Sequence, residues 1–279
     1  MTDRPRARWE GAPVERWRAA WGVPRLRVFH TLDSTNDLAR DLAEAGAPAG
    51  TVVLADQQRR GRGQHGRSWH ATPGKGLLLS VLVRPAPAAG EPTAPAVLPV
   101  RVGLAVARAV DATVGVNVGL KWPNDLLLDG GKLAGILCEG ARGGAGDAFV
   151  VVGVGINVDQ APNELPPGLD PPATSLRIAT GRPVARAPLA GEVVRAVLAC
   201  ARDAIRPLSA QELAEFAARD VLRGRAVRVD GVDAGTAVGL DPDGALRLDR
   251  NGTIEAIRAG SVRLATAAAR DLYLTGTEP

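Results

Sequence analysis

Residues 57–69 read QQRRGRGQHGRSW and lie between two apolar runs, TVVLAD at 51–56 and KGLLLSVLVRP at 75–85. Both runs have strand length and strand composition, so the polar stretch is predicted to be a loop joining two strands. Gly61, Gly63 and Gly66 let the backbone turn through conformations closed to other residues and come close to a ligand. Arg59, Arg60, Arg62 and Arg67 surround those amides with guanidinium forks, whose geometry matches phosphate and carboxylate oxygens. The stretch predicts a loop that holds an anion; on its own it fits a solvated basic hairpin equally well.

The rest of the chain narrows the choice. It has 279 residues, 46% of them hydrophobic, enough for one large domain or two unequal ones. No run approaches the roughly 20 apolar residues of a membrane span, and no basic-then-apolar leader is visible. The expectation is a cytoplasmic protein without a membrane partner. Cys138 and Cys200 lie far apart in apolar segments and are expected to be buried free thiols. With three histidines (His30, His65, His70) and no CxxC, a structural zinc is not expected. The net charge of +4 is modest, arginine is spread along the chain, and 3% aromatic content leaves few stacking platforms for nucleic acid.

Residues 1–24 carry Trp9, Trp17 and Trp21 and are expected to form a short helix docked by its tryptophans, too short for a three-helix DNA reader. A strand, RLRVFHTL (25–32), runs into DSTN (33–36), where Asp or Ser can cap a helix ending at Gly46. The Pro/Ala-rich stretch 86–96 is predicted to be a surface loop, and 98–115 a helix. Residues 116–159 read as strand, hairpin, strand and strand, with DGGK (129–132) as the hairpin signal. A second Pro-rich loop spans 161–175, and helices follow near 185–205 and 210–222. From residue 223, short alternating runs separated by DG, DPDG and NG predict an antiparallel meander or small barrel. The predicted divisions are an arm at 1–24, a main domain at 25–222 and a C-terminal domain at 223–279.

Two more segments are not explained by packing. KWPND (121–125) sets a lysine, an amide and a carboxylate around a proline that fixes the backbone. GVGIN (153–157) puts glycines two apart in an apolar strand, which predicts close approach by a ligand or another backbone. It completes no GxGxxG and no helix follows, so a dinucleotide fold is rejected.

Taken in order, DSTN (33–36), QxxGRGxxGRxW (58–69), KWPND (121–125), KLAGIL (132–137) and GxGIN (153–157) resemble the biotin protein ligase family over about 28–264, in the short form that lacks an N-terminal DNA-binding domain. Five ordered motifs are far more specific than any one of them. The resemblance implies an α/β (α+β) fold: a catalytic domain with a mixed sheet, related to class II aminoacyl-tRNA synthetases, followed by a small SH3-like β-barrel. It implies that biotin is activated with MgATP to biotinoyl-5'-AMP and passed to one lysine of a biotin carboxyl carrier domain of an acyl-CoA or pyruvate carboxylase. Biotin, ATP and Mg2+ are the implied ligands. A monomer or weak homodimer with no specific DNA is the implied state. Both steps move charge on phosphate oxygens, which calls for fixed cations and amides and no side-chain nucleophile.

Carried over by position, Ser34, Thr35, Asn36 and Gln58 would meet the polar ureido end of biotin; read alone, Ser34 and Thr35 are a helix cap. Arg62 and Arg67 would hold carboxylate and phosphates, with the backbone of Gly61, Gly63 and Gln64 completing an anion nest. Trp69 would pack over the ligand, or else belong to strand core. Lys132 would reach the carboxylate and α-phosphate, and Lys121 would help close the site. Asn124 would contact the adenylate; Asp125 would bind metal or orient the incoming amine. Gly135, Gly153 and Asn157 would line the biotin and nucleotide pocket.

Two positions depart from the family. Gln64 stands where an arginine is common, which bears on adenylate retention, and no tryptophan follows Trp122 to stack on adenine. A lipoate or octanoyl ligase or transferase of the same fold is the near alternative. A biotin-responsive DNA repressor is disfavoured.

Overall fold

The computed structural model describes residues 4–85, 97–143, 147–201 and 204–265. The predicted loop at 86–96 and the last residues of the predicted C-terminal domain, 266–279, lie outside them.

The arm is a two-strand hairpin, β1 (Arg8–Trp9) and β2 (Ala12–Pro13), leading into α1 (Val14–Trp21). Trp9 meets Trp17 and Trp21 edge-on, at centroid distances of 6.5 and 6.0 Å, so the three indoles form one docked cluster. The arm is tied down by polar contacts as well. The Asp56 carboxylate accepts from Arg6, from the Trp9 indole at 3.2 Å and from the buried Arg186 at 2.9 Å.

β3 (Arg25–Leu32) is followed by α2 (Thr35–Glu44), whose cap is Ser34; its Oγ accepts from Asp37 N at 3.4 Å. β4 (Thr51–Gln58) lies parallel to β3, as the intervening helix requires. β5 (Gly76–Val83) comes next, then α3 (Val97–Val114), β6 (Gly119–Lys121), β7 (Asp125–Leu128), β8 (Gly131–Arg142) and β9 (Ala148–Asn157). They build a seven-stranded mixed sheet in the order β3-β4-β5-β9-β8-β7-β6, antiparallel from β4 onward. Asp129 and Gly130 both have positive φ, so the β7–β8 connection is the tight hairpin that DGGK predicts.

All eight residues of β5 are buried, and their alternation sorts the two faces of the sheet. Leu77, Leu79 and Val81 join the main core with α3 and with Leu189 and Val193 of a later helix. Burying each such side chain contributes roughly 1.5–3 kcal/mol. Leu82 points the other way, into a smaller cluster with Ala39 and Ala43 of α2. Further along that second face the sheet is lined by Gly153, Gly155 and Gly135, and a cavity opens there.

After α4 (Leu176–Thr180), α5 (Arg186–Ala201) and α6 (Ala210–Arg219), the chain forms a second sheet. β10 (Ala226–Val229), β11 (Val232–Leu240), β12 (Leu246–Arg250) and β13 (Thr253–Ile257) run as an antiparallel meander, and β14 (Val262–Leu264) returns beside β10. Positive φ at Asp230–Gly231 and Asn251–Gly252 makes the DG and NG pairs tight turns. The two sheets are pinned together where the Trp122 indole donates to Gly244 O at 2.9 Å and Leu208 N to Pro242 O at 2.6 Å. Cys138 and Cys200 are free thiols, Cys200 buried and Cys138 half-buried. Among the described residues, no helix is long and apolar enough to cross a membrane.

Candidate active site

Strand register writes the floor of the cavity. Lys121 pairs with Asp125, Asp125 with Gly135, Gly135 with Gly155 and Gly155 with Leu78, one row across five strands. The next row is Leu137, Gly153 and Ser80. Side chains in such rows share a face, and two larger groups use the glycines as seats. A Cβ on Gly155 would lie 2.6 Å from Trp69 Cε2, and one on Gly135 3.1 Å from Trp69 Cζ3. A Cβ on Gly153 would collide with Asn36 Oδ1. The glycines of GVGIN are needed because side chains of this chain rest on them, where the sequence predicted a ligand or another backbone.

The enclosed space is about 480 Å³, within the range of small-molecule sites. Arg62, Arg67, Lys132, Lys121, Asp125, Ser34, Thr35, Asn36, Gln58, Gly63, Gln64, Gly135, Gly153, Trp69, Asn124 and Asn157 all line it. Gly61 does not; it lines a second cavity behind the loop.

One end is neutral and polar. Gln58 Oε1 accepts from Thr35 N at 2.7 Å and from Thr35 Oγ1 at 3.0 Å. The Ser80 hydroxyl lies 2.8 Å from Thr35 Oγ1 and 2.5 Å from Asn36 Oδ1, and Asn36 Nδ2 donates to Glu139 Oε2 at 2.7 Å. Ser80 and Glu139 were not among the residues predicted from sequence. A lone serine inside LLLSVLV and a lone acid after KLAGILC were the signals available.

The other end is cationic. Lys132 Nζ lies 2.5 Å from Asp125 Oδ1 and 5.8 Å from the Trp69 ring centroid, and Lys121 Nζ is 3.6 Å from Asp125 Oδ2. Burial lowers the Lys121 ammonium pKa, against the opposing pull of Asp125. Burial alone would raise the Asp125 carboxyl, but Lys132 and Lys121 outweigh it and hold it below its ordinary value. Asp125 is therefore an ionised bridge between two lysines. Both its oxygens face ammonium groups, a poor fit to Mg2+, and the described residues hold no group of three His, Cys, Asp or Glu side chains suited to a metal.

The loop itself is a small hairpin: Trp69 N donates to Gly61 O at 2.8 Å and Gly63 N to Arg67 O at 2.7 Å. A Cβ on Gly61 would collide with Trp69 O, so the close approach of the two arms of the loop requires glycine there. The Gly63 amide is engaged within the hairpin, so it does not contribute to an anion nest in this conformation. Arg62 Nη2 sits 2.7 Å from Glu139 Oε2 and 2.8 Å from Asp37 Oδ1. Arg67 donates to Ser261, just before β14, and Gly260, Ser261, Val262 and Arg263 complete the cavity wall. Arg59 and Arg60 pair with Asp33 and line the second cavity, so neither stands in for a cation at position 64. Trp69 lies outside the strands, against the cavity floor, with its indole Nε1 buried and without a partner among the described residues. Asn124 Nδ2 donates to Ile136 O at 2.7 Å and Asn157 Nδ2 to Thr174 O at 2.9 Å, so both amides brace the wall they line.

A cavity with a hydrogen-bonding end, a lysine pair and a glycine–arginine hairpin, all on one face of a mixed sheet, has a counterpart among known proteins. The sequence pattern of the biotin/lipoate A/B protein ligase family matches residues 28–157. Among individual relatives, it is 42% identical over 191 residues to the biotin–acetyl-CoA-carboxylase ligase of Mycobacterium tuberculosis, covering 63% of this chain and 65% of that one. It is 38% identical over 175 residues to the bifunctional ligase/repressor BirA of Bacillus subtilis, covering 62% and 51% respectively. The aligned region thus spans between half and two thirds of these relatives' length. In structure it resembles the biotin protein ligase from Aquifex aeolicus in complex with biotin and ATP, with a TM-score of 0.71 and 27% identity, over 87% of this chain and 100% of that one.

Proposed function

We propose that this protein is a biotin protein ligase, which activates biotin with MgATP to biotinoyl-5'-AMP and transfers biotin to a lysine of a carboxylase's carrier domain. The observation that carries this reading is the polarity of the cavity. Gln58 on β4 and Asp125 on β7 are four strand steps apart, about 19 Å at roughly 4.8 Å per step. A neutral donor–acceptor cluster at one end and a lysine pair at the other suit a long acid with a polar head, its carboxylate meeting a nucleotide phosphate. An octanoyl or lipoyl group would leave the Thr35–Gln58–Ser80–Asn36 cluster facing carbon, at a cost of about 1–3 kcal/mol per unpaired group.

In the first step a carboxylate oxygen attacks the α-phosphorus and pyrophosphate leaves. Lys132, aimed by Asp125 and the Trp69 face, would stabilise the carboxylate and the developing phosphate charge; Arg67 and Arg62 would add fixed cations at the loop. In the second step a neutral amine attacks the acyl carbon of the mixed anhydride and AMP leaves, with Asp125 placed to orient that amine. Magnesium would arrive on the triphosphate and neutralise its charge. The loop hairpin and the Ser261 edge would exclude water from the anhydride.

On this reading residues 25–222 are a catalytic domain of class II aminoacyl-tRNA synthetase type, and 223–279 an SH3-like barrel that covers the nucleotide or presents the carrier. Biotin-dependent exchange of labelled pyrophosphate into ATP tests the first step alone. Exchange that requires biotin supports the reading; none, from folded protein, counts against it.

A further inference from the structure

The polar cluster does not stop at the residues that face the cavity. It continues from Gln58 through Thr35, Ser80 and Asn36 to Glu139, and from Glu139 into the loop through Arg62. Glu139 Oε2 accepts at once from Asn36 Nδ2 and Arg62 Nη2, each at 2.7 Å, while Oε1 lies 3.1 Å from Arg40. An ionised carboxylate only accepts hydrogen bonds. Asn36 must therefore turn its NH2 to Glu139 and its oxygen toward Ser80 and the Gly153 position of the cavity floor.

We infer that Glu139 is a positioning residue for the substrate's head group and for the loop together. By accepting from Asn36 it fixes that amide with its oxygen over Gly153 on the cavity floor, where it would accept from a ligand N–H. By accepting from Arg62 it ties the glycine–arginine hairpin to the same network. Loop order and head-group recognition then share one carboxylate. The head-group part rests on the biotin reading above; the tether to the loop does not.

Two measurements test it. Amide hydrogen exchange on the ligand-free Glu139→Gln protein is expected to speed up about tenfold or more at 61–68, as loss of a charge-assisted bond implies, with β5 and α3 unchanged. Unchanged exchange at 61–68 would overturn the tether. In biotin-dependent ATP–pyrophosphate exchange, the same variant should raise the biotin KM about tenfold with kcat within about threefold. An unchanged KM, or equal losses in kcat and kcat/KM, would overturn the head-group role. The polarity-swapped pair separates positioning from general support. Asn36→Asp should weaken biotin use, and adding Glu139→Gln should recover part of it by restoring a donor–acceptor contact with an acceptor toward the cavity. Additive losses would count against the inference. Wild-type protein that exchanges no pyrophosphate with biotin contradicts the biotin reading itself, and hydrogen exchange then decides the tether alone.

Discussion

Lys132 Nζ and Asp125 Oδ1 are 2.5 Å apart on neighbouring strands, with the Trp69 indole facing the lysine and Lys121 holding the other carboxylate oxygen. A lysine two residues past a hairpin turn is thereby aimed into the cavity, with its side chain 22% exposed. The Lys132→Ala variant should keep its fold and lose about 10²–10³ in the rate of adenylate formation, the scale for one preorganised charge. Pyrophosphate exchange measures the rate and circular dichroism the fold.

Asp125→Asn acts differently. It leaves Lys121, only 6% exposed, without its counter-charge, and breaking a buried pair in this way costs about 3–5 kcal/mol. Thermal unfolding should show a clear drop for Asp125→Asn and a small one for Lys132→Ala. Equal midpoints would mean that Lys121 is satisfied elsewhere.

Gly155→Ala puts a methyl group into the Trp69 ring, and the ring must leave its seat. The expected outcome is a stable protein with weakened ligand binding and an altered Trp69 environment. Biotin titration by calorimetry checks the first effect, and the near-UV circular dichroism of the indole band, compared with that of a Trp69→Phe variant, checks the second.

Gln64 lines the cavity beside Arg62 and Arg67 and brings no charge. Gln64→Arg adds a cation near the site proposed for the phosphates and should slow adenylate release, each unit of added binding free energy of about 1.4 kcal/mol giving tenfold. Trapping of released biotinoyl-adenylate by free hydroxylamine gives the rate for both proteins.

Asp220, at the junction between α6 and the second sheet, is pushed by burial up to about 6 from 3.8; its Oδ1 accepts from Leu222 N at 2.9 Å, and Oδ2 has no partner among the described residues. The native chain thus holds this proton more tightly than the unfolded chain. The stability it gives is fully present below pH 3.8 and is lost as pH rises through about 6. Asp220→Asn should be more stable than wild type at pH 8, by about 3 kcal/mol, and equally stable near pH 4. Differential scanning calorimetry at the two pH values checks the sign.

Much of the fold was legible because periodicity and turn chemistry are local. The Asp129–Gly130, Asp230–Gly231 and Asn251–Gly252 pairs mark their hairpins directly, and the apolar runs 51–56 and 75–85 mark the two strands that flank the glycine–arginine loop. The candidate site residues were legible through motif order. Partners distant in sequence were not. Glu139 meets Asn36 across 103 positions and Arg62 across 77, so no local pattern announces either contact. The same holds for Arg67, whose partner Ser261 lies 194 residues away, just before β14. Gly153 and Gly155 were visible as gaps in a strand, but only strand register and the loop's return path reveal that Asn36 and Trp69 fill them.

The most direct measurement is the mass of an isolated biotin carboxyl carrier domain after incubation with this protein, biotin and MgATP. The account predicts one biotinoyl adduct on a single lysine, dependent on ATP and absent with Lys132→Ala or Arg67→Ala. An unmodified carrier with folded wild-type protein, or adduct formation undiminished in those variants, would contradict it.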